Sequence, residues 1–290
     1  MSEEKNTVIQ RSMGWSLFSE IAAKFVTPVT NMVLARLLTP DDFGVLAVCN
    51  MLVSFVDIIT DAGFGKYLVQ ADFESEKKRD QVANVAFWSN LALSVVLYLI
   101  IIINRTNIAK LLGAKEYSTV ICVASFQLIL TSISSIQTGL FRRRFDFKKL
   151  FVARIAVALM PLVIAVPIAY IAKSYWALII GTLSGALANS IILTVMSSWR
   201  PRLFYSVTIF KQMFSFSFWS LCEGLANWTI FWFDTFMVTQ IYSAYYVGIY
   251  KNSANMVMSI MGMISASMGP VLLSVLSRVK DNKKNMRPCI

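Results

Sequence analysis

The sequence predicts an all-α, polytopic integral membrane helical bundle: one six-helix lobe followed by the first helix pair of a second, parallel-repeat lobe. Three observations predict it. Of the 290 residues, 57% are hydrophobic and only 15% are charged, with a mean hydropathy of +0.62; a water-soluble domain carries about 25% charged residues. The apolar residues are gathered into continuous runs of about 20 residues, the length a helix needs to cross a ~30 Å hydrocarbon core. The chain also matches itself at an offset of 204 residues.

Eight spans are expected, at 14–36, 44–68, 82–104, 118–140, 150–172, 175–198, 213–240 and 247–276. The runs are continuous rather than alternating, which excludes a barrel, and backbone groups cannot stay unpaired in lipid, so the spans must be helical. The polar first 13 residues and the long run after them do not fit a cleaved signal peptide. The connections are short and polar, as at Thr39-Pro40-Asp41-Asp42. Gly181 and Gly185 form a G-x-x-x-G, read as a close-packing motif rather than a site. Pro28, Pro161 and Pro167 should kink their helices.

The net charge of +11 does not point to nucleic acid, because the basic residues lie between the apolar runs. With the N-terminus placed inside, the inner connections hold twenty lysines and arginines and the outer ones five. That bias sets an N-in, C-in topology. The chain has no histidine, which removes histidine-dependent zinc and triad motifs, and its four cysteines form no C-x-x-C pair. No catalytic, metal or cofactor constellation is visible, so the chain reads as a non-enzyme.

The internal repeat places Trp15-Ser16-Leu17 on Trp219-Ser220-Leu221, Gly44 on Gly248, Ala62 on Ala266 and Gly65 on Gly269. The offset spans six helices, an even number, so the copies share one orientation. Parallel repeats of this kind build transporters with two bundles around a central cavity. The expected organisation is a bundle over 1–200, the first two helices of a second bundle over 201–280, and a cytoplasmic tail over 281–290.

The stretch from Trp15-Ser16-Leu17 through Val33-Leu-Ala-Arg-Leu-Leu-Thr-Pro-Asp-Asp-Phe-Gly-Val-Leu-Ala47 resembles the opening of Wzx-type polysaccharide flippases, whose superfamily also holds the drug exporters of the MATE type. Asp57-Ile-Ile-Thr-Asp61-Ala-Gly-Phe-Gly65 and the basic loop Leu140-Phe-Arg-Arg-Arg-Phe-Asp-Phe-Lys-Lys149 carry the resemblance further. It implies movement of undecaprenyl-diphosphate-linked oligosaccharide repeat units from the cytoplasmic to the periplasmic leaflet of a bacterial inner membrane. Polysaccharide polymerase and export machinery would be partners, with no nucleic acid. The family has more helices than the eight this chain has room for, so the tail at 281–290 reads as aberrant or truncated. Two rival readings remain: a cation-coupled drug exporter of the same superfamily, and a fragment without transport activity.

Charges inside spans are costly and call for a partner or a wet cavity. Glu20 and Lys24 share a face of the first span, and Asp57 and Asp61 share a face of the second. Depth along the helices lets Lys24 meet Asp57. This cluster is either a structural ion pair or the coupling site for a proton or sodium ion, the one small cofactor the sequence suggests. Arg142, Arg143, Arg144 and Arg154 are topology signals or a contact for the substrate diphosphate, Arg154 first among them because it lies inside a helix. Asp234 and Lys251 are expected to pair as a closure element near the outer ends of the seventh and eighth spans, and Glu223 has no evident partner.

Overall fold

A computed structural model of the chain describes residues 26–259 together with 261 and 262. Glu20, Lys24, Trp15 and the tail 281–290 lie outside the described residues. The described part contains helices and connections, with no strand among them. Five helical stretches in it are long and apolar enough to cross a membrane: Pro40–Asp61, Glu76–Ile103, Lys115–Arg143, Phe147–Ala172 and Trp176–Met196. This is the architecture of a multi-pass membrane protein.

Helix α1 occupies 26–37. Helix α2, Pro40–Asp61, starts four residues ahead of the expected span at 44 and takes in Pro40, Asp41 and Asp42 from the expected connection. Proline opens the helix, where a missing N–H costs nothing. The Thr39 backbone N–H and hydroxyl both donate to Asp42 Oδ2, at 2.9 and 2.7 Å. Its other end corrects the expected span 44–68. Ala62 turns left-handed at φ 41° and Gly63 at φ 76°, which stops α2 at Asp61. A separate short helix α3, Phe64–Gln70, then carries the chain away. At Gly63 the fold needs glycine twice over: φ is positive, and an added Cβ would come within 2.5 Å of Ser220 Cβ.

Helix α4, Glu76–Ile103, is capped by Ser75, whose hydroxyl accepts the Lys78 N–H at 3.2 Å. Helix α5, Arg105–Leu111, and a 3₁₀ turn, Lys115–Tyr117, form the next connection. The expected span 118–140 is two helices, α6 Ser118–Ser125 and α7 Gln127–Arg143, joined at Phe126. Helix α8, Phe147–Met160, passes through a π turn at Pro161–Ala165 into α9, Val166–Ala172. At Pro161, where a kink was expected, the regular α-helix gives way to this π turn, and the ring removes an N–H from the ladder. Helix α10, Trp176–Met196, lies tightly on α8 and the π turn. A Cβ on Gly181 would meet Ala165 Cβ at 2.7 Å, and one on Gly185 would meet the Val157 carbonyl at 3.5 Å. The close-packing role is as expected at Gly181, whereas at Gly185 an added Cβ would make an ordinary contact.

Helix α11, Val207–Ile241, runs 35 residues, about 52 Å at 1.5 Å per residue, and so projects beyond a 30 Å core. Helix α12 follows at 244–259. Among the described residues, four buried clusters hold the bundle together, two of them large. One gathers Val45, Val48, Met51, Ile121, Leu128 and Ile179 in the Pro40 half of α2; the other gathers Phe64, Leu68, Val85, Phe87, Ile136 and Trp199 toward the end rich in lysine and arginine. Trp199 is buried in that second cluster against Phe87.

The repeat appears in the contacts themselves. A Cβ on Gly44 would overlap the Ala244 carbonyl, and a Cβ on Gly248 would overlap the Pro40 carbonyl. The 204-residue offset maps Gly44 onto Gly248 and Pro40 onto Ala244. One contact therefore occurs twice, with the roles of the two helices exchanged. That reciprocity is the signature of a two-fold axis, here between the first turns of α2 and α12.

Candidate functional site

A cavity of about 560 Å³ opens inside the first six spans. Its polar lining comes from α1 (Thr30, Asn31), α2 (Asn50), α7 (Gln127, Thr131), α8 (Arg154) and α10 (Asn189). A second cavity of about 380 Å³ lies toward the basic end and is lined by Asp61, Lys66, Arg142, Ser134 and Thr138. Thr131 and Asn189 line both, so the two form one polar column through apolar helices.

Helix α7 makes this possible. Its face toward the column carries Thr131, Ser134, Ser135 and Thr138, whose hydroxyls all satisfy themselves on the carbonyls three or four residues back. That local bonding lets a polar face survive in a dry setting. Neighbouring helices then add amide contacts. Asn189 Nδ2 donates to Ser134 Oγ at 3.1 Å, and Asn90 Nδ2 donates to Ser135 Oγ at 2.7 Å.

Asp57 lies four residues from the end of α2, ~6 Å along the axis, nearer the end than a span reaching residue 68 implies. Its Oδ1 accepts the Thr131 hydroxyl at 2.8 Å, which ties α2 to α7 at the junction of the two cavities. Asp61 lines the smaller cavity opposite Lys66 and Arg142. Glu20 and Lys24, expected to complete this cluster, fall outside the described residues.

The four arginines separate. Arg154 is half-buried in the wall of the larger cavity, and Arg142 lines the smaller. Arg143 turns the other way. Its Nη1 donates to the carbonyls of Leu68, Val69 and Ala71 at 3.1, 3.2 and 2.6 Å, and its guanidinium lies 4.7 Å over the Phe73 ring. It terminates α3 rather than facing a cavity. Arg144 Nη1 donates to Ser198 Oγ at 2.7 Å on the surface.

The expected closure pair is also rearranged. Asp234 Oδ2 accepts from Tyr250 Oη, and Lys251 Nζ donates to the Phe231 carbonyl at 3.0 Å while lying 3.9 Å from the Trp232 ring centroid. Asp234 and Lys251 meet the same hydroxyl, Thr235 Oγ1, at 3.1 and 3.2 Å, and form no direct ion pair. Both belong to the α11–α12 hairpin, so this network fixes the hairpin and does not bridge the lobes.

The bridge between lobes is a pair that sequence reasoning missed. Lys66 Nζ on α3 lies 2.9 Å from Glu223 Oε2 on α11. Nearby, a Cβ on Gly224 would sit 2.8 Å from Ile58 Cγ2, and Trp228 Nε1 donates to Ser54 Oγ at 3.1 Å. The two charged side chains are 49% and 63% exposed, so the pair adds little stability. Glu223→Lys is expected to change unfolding free energy in detergent by no more than about 1 kcal/mol, measured by thermal or denaturant melting. The amides of the column were likewise missed. Asn31, Asn50 and Asn189 lie far apart in the sequence, and only helix packing brings them together.

Comparison with known proteins follows the same lines. A family model described as "Polysaccharide biosynthesis protein" matches residues 33–290. The chain is 29% identical over 241 residues to a succinoglycan biosynthesis transport protein of Rhizobium meliloti, covering 83% of this chain and 47% of that protein. It is 23% identical over 283 residues to an uncharacterized membrane protein in the cps region of Klebsiella pneumoniae, covering 96% and 57%. It is 19% identical over 279 residues to a lipopolysaccharide biosynthesis protein of Escherichia coli, covering 94% and 55%. The chain thus spans about half the length of the curated relatives it matches. Among solved structures, an inward-facing multidrug resistance MATE family transporter of the MOP superfamily superposes with a TM-score of 0.61 at 13% identity, covering 87% of this chain and 64% of that one. At that identity the likeness concerns the fold.

Proposed function

We propose that this chain, which belongs to the polysaccharide biosynthesis protein family, takes part in moving a lipid-linked oligosaccharide across a bacterial cytoplasmic membrane. The observation that carries this reading is the polar column. Asparagine and glutamine both donate and accept hydrogen bonds, which suits the hydroxyls of sugars. Arg154 supplies one cation in that wall, and a guanidinium suits bidentate contact with a diphosphate. A lipid tail needs no cavity, because it stays in the bilayer. Relatives named for succinoglycan transport and lipopolysaccharide biosynthesis support the same substrate class.

The basic end of the bundle faces the cytoplasm in this reading, following the charge bias. Substrate would enter there, beside Arg142 and Lys66, and leave at the Pro40 end when two lobes rock about the dyad. Asp57 and Asp61 are the residues for a coupling proton or sodium ion, through their position beside the junction at Thr131. The process is transport without a covalent step.

The test is reconstitution of the purified chain in sealed liposomes carrying a fluorescent undecaprenyl-diphosphate oligosaccharide, with an impermeant quencher outside. Time-dependent change in quenching is expected. Arg154→Ala should slow it about tenfold to a hundredfold, the worth of a lost charged hydrogen bond, with insertion and melting unchanged. No transfer by the wild-type chain, or uptake of a fluorescent organic cation in its place, overturns the proposal.

A further inference from the structure

We propose that a third cavity, between the start of α4 and the connection from α10 to α11, is a binding site for the phosphate headgroup of an anionic bilayer lipid. This cavity of about 580 Å³ lies at the basic end and is lined by Lys77, Asp80, Asn84, Arg200 and Arg202 over a floor of Trp199. It shares no lining residue with the polar column, and the inference stands independently of the transport reading.

Its charge is unbalanced in a specific way. Asp80, the carboxylate in its wall, shares Arg79 with Glu76: Arg79 Nε and Nη2 donate to Asp80 Oδ1 at 3.1 and 2.8 Å, and its Nη1 donates to Glu76 Oε1 at 2.9 Å. Arg200 is held by the end of α10, where its Nη1 donates to the carbonyls of Thr194, Ser197 and Trp199. Lys77 and Arg202 have no hydrogen-bond or ion-pair partner for their side chains among the described residues. Two uncompensated cations therefore face one concavity beside a third that is fixed in place.

The backbone that carries Arg202 is anchored. Its N–H donates to Asn84 Oδ1 at 2.8 Å, and its carbonyl accepts from Trp88 Nε1 at 2.9 Å. Asn84 is 4% exposed, so a buried amide is committed to shaping this rim. The next residue, Leu203, is 92% exposed and Tyr205 is 52% exposed. An anchored basic pocket with bare apolar side chains at its lip matches a molecule with a phosphate head and an acyl body. Basic pockets between membrane helices on the cytoplasmic side hold anionic headgroups for this reason.

The full chain, purified in neutral detergent, would be titrated with phosphatidylglycerol, with phosphatidylcholine and with inorganic phosphate, and bound lipid counted by native mass spectrometry. Phosphatidylglycerol should be retained and phosphatidylcholine should not. Lys77→Gln with Arg202→Gln should weaken retention about thirtyfold, about fivefold for each charge removed at a membrane surface. Lys148→Gln with Lys211→Gln removes two basic charges elsewhere and should leave retention unchanged. Equal loss in that control, equal binding of phosphatidylcholine, displacement by millimolar inorganic phosphate, or full retention in the Lys77/Arg202 variant each overturns the site. Melting curves confirm that each variant is folded.

Discussion

Replacing Gly44 with leucine is expected to hold the Pro40 end of the bundle open, raising thiol labelling at that end about tenfold and stopping transport. The seam between α2 and α12 is backbone against backbone: Gly44 faces the Ala244 carbonyl and Gly248 faces the Pro40 carbonyl. No flexible side chain is available to move aside, so even a methyl group must separate the helices. Overpacking of this kind costs about 1–3 kcal/mol, which shifts a closed-to-open ratio by a factor of about 5 to 150. Ser243, in the turn between α11 and α12, lines a cavity of about 420 Å³ with Asp41 and Tyr117 and reports on that end. In a background without other cysteines, Ser243→Cys should react with an impermeant maleimide about tenfold faster when Gly44 is leucine, and by a smaller factor when it is alanine. Gly248→Leu should match Gly44→Leu, because the dyad makes the two contacts equivalent. The double variant should open little further than either single one, since the first substitution already parts the surfaces that the second would strain. Unchanged labelling in the two single leucine variants and the double variant would show that this seam is not the closing contact.

What the sequence made legible was whatever depends on local chemistry or on register. Pro161 marks a distorted turn and Gly181 marks a close crossing, because proline acts on its own turn and glycine bares its own backbone. The repeat was legible because Gly44 and Gly248 answer the same steric demand in two copies. The end of α2 was not, because hydropathy sums over a window and carries the run across Asp61-Ala62-Gly63; the left-handed φ of 41° at Ala62 and 76° at Gly63 end the helix. Pairing was hidden for a different reason. Lys66 and Glu223 are 157 residues apart, and nothing in either local sequence names the other. Asp234 and Lys251 were expected to pair directly, yet the hydroxyl of Thr235 lies between them, a detail set by rotamers rather than spacing. Of the candidate site, Arg154 was legible as a charge inside a helix, whereas the amide column emerged only from the packing of five helices.

Arg142 and Arg143, neighbours in the last turn of α7, are expected to give opposite phenotypes on replacement. Arg143→Ala removes the donor from the carbonyls of Leu68, Val69 and Ala71 at the end of α3 and the cation above Phe73. Those carbonyls are orphans of a helix terminus, with no intrahelical N–H to take the place of the guanidinium. Hydrogen bonds to a charged donor are worth about 1.5–3 kcal/mol, and a carbonyl left dry adds its desolvation, so a loss of about 3 kcal/mol is expected for the variant in detergent. Arg143→Lys should recover only part of it, because one ammonium cannot reproduce a planar fork that meets carbonyls on one side and a ring on the other. Arg142 is exposed and lines the cavity that holds Asp61 and Lys66. Arg142→Ala should therefore melt like the wild type, within about 0.5 kcal/mol as for other surface changes, while slowing transfer of the fluorescent lipid in liposomes. Arg142 costing as much stability as Arg143, or Arg143→Ala melting normally, would mean that the carbonyl contacts at α3 do not hold this corner of the bundle.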